Sequence, residues 1–135
     1  MRDIEEYYGA NAGKIWKVLE KHGNLTENKL IKNTRLCEED FYAAIGWLAR
    51  ENKIYKSGAW YGLGESNLTN KIGENAGKLW KTLETWNEID HYYLPKLAGI
   101  NEKDAYYALG WLAKEGKIKA KKFTPKTPQI KYYLK

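Results

Sequence analysis

FYAAIGWLARENKI, residues 41–54, and AYYALGWLAKEGKI, residues 105–118, are two versions of one phrase that decides the fold. Each version sets apolar residues at helical spacing around a Gly-Trp-Leu-Ala centre and ends in Lys-Ile, where a strand pattern begins. Sliding the sequence by 64 positions aligns residues 11–54 with residues 75–118 without a gap, and 21 of the 44 pairs are identical. Because this period is too long for a solenoid unit, the chain contains a tandem duplication of one small domain.

The same order of elements surrounds the phrase in both copies. Asn11 and Asn75 are predicted to cap a first helix, because apolar residues at helical spacing follow each of them. Next come a short bridging strand and a second helix over residues 27–33 or 91–98, for which Thr26 and Asp90 are the predicted N-caps. The phrase follows as a third helix, and a β-hairpin ends each copy. Pro95 predicts that the second copy's short helix starts late or has an irregular first turn. This order predicts a mainly α protein with small β-hairpins (α+β), built from tandem winged helix-turn-helix domains.

Two stretches of the second copy also carry a resemblance. Residues 73–80, GENAGKLW, and residues 110–118, GWLAKEGKI, are similar to the signature of a family of small, functionally uncharacterised winged helix-turn-helix domains in prokaryotes. The resemblance covers nearly the whole chain, one domain per copy, and implies the fold without implying any site residues. We expect domains at residues 1–64 and 65–135, the second with the longer and more basic wing.

Charge is unevenly distributed. The net charge is +6, but residues 114–135 hold eight Lys and one Glu, a balance of +7, so the other 113 residues sum to −1. The single Cys37 excludes an intramolecular disulfide. The acidic N-terminal segment does not read as a signal peptide, and no apolar stretch approaches membrane-span length. We therefore expect a soluble cytoplasmic protein with no membrane contact.

Enzyme chemistry finds little support. His22 and His91 have no repeated partner, and with one Cys they do not make the close four-ligand set that zinc requires. No phosphate-cradling loop of the G-x-x-x-x-G-K-[ST] type is present. The sequence predicts a protein that is not an enzyme, with no metal, cofactor or small-molecule ligand.

The third helix would enter a DNA major groove if the domain works as helix-turn-helix proteins do. Phe41, Ala44, Ile45 and Leu48 share one face and are predicted core. The opposite face differs between the copies. In the first copy this face carries Glu39, Tyr42, Ala43, Gly46 and Arg50. In the second copy it carries Lys103, Tyr106, Tyr107, Gly110 and Lys114.

The C-terminal hairpin gives the best nucleic-acid signal. Its predicted DNA-contacting lysines alternate along one strand or lie in the wing, and they are Lys117, Lys119, Lys121, Lys122, Lys126 and Lys131. Such lysines provide salt-dependent, largely sequence-independent affinity for phosphates. The alternative is a solvated strand whose lysines keep a sheet edge from aggregating. The lack of Arg in this hairpin argues against the recognition of specific bases.

Gly46 and Gly110 lie mid-helix, where Gly costs roughly 1 kcal/mol relative to Ala, so something must approach the backbone closely. The favoured interpretation is helix 1 or the hairpin of the same domain; the alternative is a second helix from the other copy or from another chain. Trp60 and Trp86 have no counterpart in the other copy. They are candidates for contacts between the copies or with a partner.

Two functions follow as hypotheses. The first is duplex DNA binding, as a transcription or chromatin-associated factor, through Lys103, Tyr106, Tyr107 and Lys114 together with the lysine-rich wing. The second is a protein-interaction adaptor or homo-oligomer without nucleic-acid binding. Its predicted interface residues are Tyr42, Ala43, Gly46, Trp60 and Trp86.

Overall fold

Each copy folds into three helices and a three-stranded antiparallel sheet, as the order of elements predicts. The computed structural model describes residues 3–122 and 130–135, except for the side chain of Lys122. The first copy contains α1 (Ile4–His22), β1 (Leu25–Thr26), α2 (Glu27–Thr34), α3 (Glu38–Arg50), β2 (Ile54–Ser57) and β3 (Trp60–Leu63). The second contains α4 (Thr69–Trp86), β4 (Glu88–Asp90), α5 (Leu94–Ala98), α6 (Glu102–Lys114), β5 (Ile118–Lys122) and β6 (Ile130–Leu134). The sheets have strand orders β1-β3-β2 and β4-β6-β5.

The first helix of each copy begins earlier than predicted. Asp3 is the N-cap of α1 and accepts a hydrogen bond of 2.8 Å from the Glu5 amide. Asn11 and Asn75 therefore lie inside their helices, where both are buried, and the prediction that they are N-caps is wrong. The extra turns of α1 bury Ile4 and Tyr8 against the second copy, and those of α4 bury Ile72 against the first.

The short second helices match the sequence pattern with one difference. Thr26 caps α2, accepting a hydrogen bond from the Lys29 amide as predicted. In the second copy α5 starts late, at Leu94, with Pro95 in its first turn, where a missing amide hydrogen is tolerated. Asp90, the predicted cap, lies in β4 and accepts from the Tyr92 amide at 2.9 Å. The alternative in which this helix starts late is confirmed.

The hairpins set which side chains share a face of each sheet. Ser57 pairs with Trp60, which leaves a two-residue turn where Gly58 has a φ of +60°. The second hairpin pairs Lys119 with Tyr133 and Lys121 with Lys131. Residues 123–129, between these two strands, lie outside the described residues, and so does the predicted contact at Lys126.

The two copies share their apolar interior. Tyr8 and Ala43 of the first copy are buried in the cluster formed mainly by the second copy. Ile72 and Tyr107 of the second copy are in turn buried in the cluster formed mainly by the first. The predicted core face of α3, Phe41 included, is confirmed. Because each interior is completed by the other copy, the chain packs as one body.

Candidate nucleic-acid interface

The third helices of the two copies pack against each other. A Cβ added to Gly46 would lie 1.9 Å from the Tyr107 carbonyl oxygen, and one added to Gly110 would lie 1.7 Å from the Ala43 carbonyl oxygen. At the C-terminal ends, the Arg50 guanidinium lies 5.5 Å from the Trp111 ring centroid. Because equivalent positions meet along the whole length, α3 and α6 run side by side in the same direction, related by an approximate two-fold axis.

This contact corrects two expectations from sequence. Tyr106 and Tyr107, predicted to face outward, are only 7% and 8% exposed. The favoured explanation of Gly46 and Gly110, contact within their own domain, is wrong, and the alternative of a helix from the other copy is right. The pattern was ambiguous because Tyr107 reads equally well as a DNA-facing or an interface residue. With these faces covered, neither α3 nor α6 presents its outer surface to a DNA groove.

Two buried tyrosine pairs cross between the copies. The hydroxyls of Tyr61 and Tyr107 are 2.8 Å apart, and those of Tyr8 and Tyr132 are 2.9 Å apart. Burial, as the largest cause, raises the pKa of all four phenols above its ordinary value. The sequence could have indicated Tyr8, since Tyr8, Ala12, Ile15 and Leu19 continue one helical stripe.

The predicted α6 lysines face the first copy. The Lys103 ammonium lies 3.6 Å from a Glu27 carboxylate oxygen and 5.1 Å from the Tyr42 ring centroid. The Lys114 ammonium lies 3.7 Å from a Glu51 carboxylate oxygen and 5.2 Å from the Trp47 ring centroid. Both lysines therefore connect the copies.

A basic face lies on the second copy's sheet. Lys119, Lys121, Lys131 and Tyr133 project from the side opposite the buried Tyr132, and we call this set the basic sheet face. Glu88 of the adjacent β4 lies 2.9 Å from the Lys121 ammonium and 3.8 Å from that of Lys131.

The other predicted wing lysines are placed differently. Lys117 forms an ion pair of 3.5 Å with Glu115, at the end of α6. Lys122 pairs through its backbone with Ile130, and its side chain lies outside the described part of the chain. The structure thus brings Lys119, Lys121 and Lys131 together and sets them on a different surface from Lys103 and Lys114.

The predicted protein-interface residues also divide into two groups. Tyr42, Ala43 and Gly46 lie in the contact between the copies; the Tyr42 and Tyr107 ring centroids are 5.2 Å apart. Trp60 and Trp86 are exposed, at 46% and 57%. The second copy also exposes Tyr92, Tyr93 and Leu97, where the first copy has Asn28, Lys29 and Asn33. Sequence reasoning missed these three, although the change from polar to apolar at equivalent positions was a signal.

Within residues 3–122 and 130–135, no three or more His, Cys, Asp or Glu side chains are grouped so that they could hold a metal ion. In the same ranges, no helix has the length and apolar character needed to span a bilayer.

Fold and interface together define a tandem winged helix protein whose third helices face each other. The family described as "Winged helix-turn-helix domain (DUF2582)" matches residues 1–59 and, a second time, residues 68–127. The chain belongs to this family and carries its domain twice. No curated protein and no solved structure matches the chain significantly. The boundary expected at residues 64 and 65 stays a prediction.

Proposed function

We propose that the protein binds duplex DNA through the basic sheet face of the second copy, without reading base sequence. The observation that supports this most is the placement of Lys119, Lys121 and Lys131 on one surface of a winged helix domain. Lysines on a wing contact phosphates beside a groove and supply affinity that does not depend on sequence. This revises the hypothesis from sequence, since α6 is covered by α3 and its Lys103 and Lys114 contact the first copy.

The charge is specific to the second copy. The first copy's sheet has Tyr55, Ser57, Trp60 and Gly62 at the positions equivalent to Lys119, Lys121, Lys131 and Tyr133. Structural need therefore does not explain the lysines, because the same sheet forms without them. Glu88 and Asp90 of β4, which pair with Tyr133 and Lys131, lie on the same face. They offset two of the three positive charges and leave a balance of +1 on this face before the wing residues are counted.

Contact of this kind suits a chromatin-associated factor better than a site-specific regulator. Bidentate Arg contacts to guanine are the commonest specific base contacts, and every cation of the basic sheet face is a Lys. A lysine contributes a mobile point charge, which tolerates many phosphate geometries. We therefore expect similar affinity for duplexes of unrelated sequence.

Fluorescence anisotropy with a labelled duplex across a salt series tests the proposal. Three to five phosphate contacts give a slope of log K against log salt between about −3 and −4.5. Removing the charges together, in Lys119→Ala/Lys121→Ala/Lys131→Ala, should abolish most of the affinity. The matched control, Lys14→Ala/Lys29→Ala/Lys32→Ala, removes the same charge from exposed positions of the first copy. No binding near 50 mM salt, or equal loss in both variants, would contradict the proposal.

A protein-interaction adaptor is the second candidate, favoured by the exposed aromatic residues of the second copy. Trp86, Tyr92 and Tyr93 are each more than half exposed, and large exposed apolar side chains are typical of interaction sites. The adaptor hypothesis predicts a defined oligomer or a partner complex that survives high salt. Light scattering at high salt measures this, and Trp86→Ser/Tyr93→Ser should reduce the assembly; a monomer in every condition with no partner recovered would count against it.

A further inference from the structure

The chain contains the same groove twice, and no part of the proposed DNA interface uses either one. The first groove lies between α1 and the end of α3, with a volume of about 370 Å³. The second lies between α4 and the end of α6, with a volume of about 410 Å³. Nine residues line each groove, and they occupy equivalent positions in the two copies.

All nine lining residues are identical between the copies, whereas 21 of 44 aligned residues are identical over the repeat. Packing can account for the buried members. It does not account for exposed Lys17 and Lys53, or for their equivalents Lys81 and Lys117. Outside the grooves, exposed positions of the same helices are identical in some pairs, such as Lys14 and Lys78, and differ in others, such as His22 and Trp86. The grooves are marked by the identity of the whole lining set, not by the identity of any one exposed lysine.

A glycine in each groove faces open space. A Cβ added to Gly13 or to Gly77 would meet no atom of the protein within 4 Å. Both glycines lie inside helices, where Gly costs roughly 1 kcal/mol relative to Ala. At Gly46 and Gly110 the reason for keeping glycine despite this cost is a backbone carbonyl that lies where a Cβ would be. Gly13 and Gly77 have no such neighbour in the protein. We therefore infer that a bound group packs closely against them.

The walls of the groove are apolar and its rim is positive. Trp16 and Trp47 line the first groove, and Lys17 and Lys53 lie at its rim. Its one carboxylate, Glu51, is bridged by Lys53 at 3.4 Å and by Lys114 at 3.7 Å. The second groove repeats this, with Glu115 bridged by Lys117 at 3.5 Å and Arg50 at 3.2 Å. Three cations and one carboxylate give each groove a charge of +2.

Trp47 and Trp111, which lie at the contact between the two copies, have little uncovered ring surface on which a nucleic acid base could stack. A Cβ on Gly9 would lie 3.1 Å from the six-membered ring of Trp47, and the Lys114 ammonium lies over the ring at 5.2 Å from its centroid. Trp111 is held in the same way by Gly73 and Arg50. An aliphatic or compact apolar side chain fits this groove better than a base.

We propose that each groove binds an acidic segment of a partner protein. One large apolar side chain of the segment packs between Trp16 and Trp47 over Gly13, and its carboxylates contact Lys17 and Lys53. The second groove binds a second segment in the same way, which makes the chain bivalent. The proposal does not depend on DNA binding, since the basic sheet face and the grooves share no residue.

Titration with a synthetic peptide of Asp and Glu residues around one central Leu tests the proposal by NMR. The indole N–H signals of Trp16, Trp47, Trp80 and Trp111 should shift and saturate at two peptides per chain. Trp60 and Trp86 lie outside the grooves and should not respond. No saturable shift would overturn the proposal. So would equal shifts with single-stranded oligo-dT, or shifts that follow protein concentration alone and so indicate a second copy of the chain.

Two variants separate binding from folding. Gly13→Leu/Gly77→Leu places a large side chain in each groove at a position where an added Cβ meets nothing within 4 Å, so peptide binding should be lost without a lower melting temperature. Lys17→Glu/Lys81→Glu should weaken binding by roughly tenfold or more. The control Lys14→Glu/Lys78→Glu places the same charge on the same helices outside the grooves and should change affinity by less than about twofold. Unchanged peptide binding in the Leu variant would overturn the proposal.

Discussion

Glycine has opposite roles at two pairs of positions in this chain. Gly46 and Gly110 are required because a backbone carbonyl of the other copy occupies the space of their missing Cβ. Gly13 and Gly77 contact nothing there. The sequence shows all four as mid-helix glycines, and only the structure separates those that the fold requires from those that it does not.

Gly46→Ala should therefore destabilise the protein strongly. The added methyl group overlaps backbone atoms that cannot rotate away, so α3 and α6 must separate at a cost of about 3 kcal/mol. Gly13→Ala is the matched control, and it should raise the free energy of unfolding by about 0.5–1 kcal/mol. Urea denaturation measures both. Equal effects in the two variants would contradict the helix contact.

The buried tyrosines predict alkaline instability. Burial raises the folded-state pKa of Tyr8, Tyr61, Tyr107 and Tyr132 above the unfolded value near 10. The unfolded chain therefore loses these protons first, so their contribution is complete below about pH 10 and is lost as the pH rises further. Unfolding measured across this range should show stability that is level near neutral pH and falls above about pH 10.

The double variant Tyr107→Phe/Tyr132→Phe tests whether the buried tyrosines cause this loss of folding stability at alkaline pH. Each change removes a hydrogen bond worth about 1 kcal/mol at neutral pH and should also reduce the alkaline decline. An alkaline decline as steep in the double variant as in the parent protein would show that other groups cause it.

Among the elements, α6 differs most from what the sequence predicted, because it packs against α3 and its lysines contact the first copy. The helical period correctly gave the core face of α3, and the element order correctly gave the winged helix fold. The outer face of α6 could not be assigned, because Lys103 and Tyr107 are equally suited to contact DNA and to contact Glu27 of α2 and Tyr42 of α3. Periodicity identifies which residues share a face, but it does not identify what covers that face.

Charge removal from α6 should consequently leave DNA binding intact. Lys103→Ala/Lys114→Ala removes two exposed ion pairs between the copies, each worth about 0.2–1 kcal/mol of stability. Anisotropy titrations should give an affinity within about twofold of the parent protein, apart from a small long-range charge effect. A loss as large as that of the Lys119/Lys121/Lys131 variant would return α6 to the DNA interface.

At the scale of the whole molecule, the duplication has made one folding unit from two domains. A domain of about 65 residues buries too little surface to be very stable alone, and here each copy completes the other's interior through Tyr8, Ala43, Ile72 and Tyr107. The repeat was visible in the sequence. The relative orientation of the copies was not, because it depends on which small residues meet across the interface.

Unfolding should accordingly be a single cooperative transition. Fluorine-labelled tryptophan gives separate signals for Trp60 in the first copy and Trp86 in the second, both of them exposed. Their intensities should fall with the same urea midpoint, and Gly46→Ala should lower both midpoints together. Two separate midpoints would show that the copies fold independently.

The packing of α3 on α6 is the central claim, and a proton NOE experiment tests it most directly. We expect cross-peaks between the Hα protons of Ala43 and Gly110 and between those of Tyr107 and Gly46, because the backbones approach closely at both points. A spectrum that resolves the NOEs within α3 and within α6 but contains neither of these cross-peaks would contradict the account.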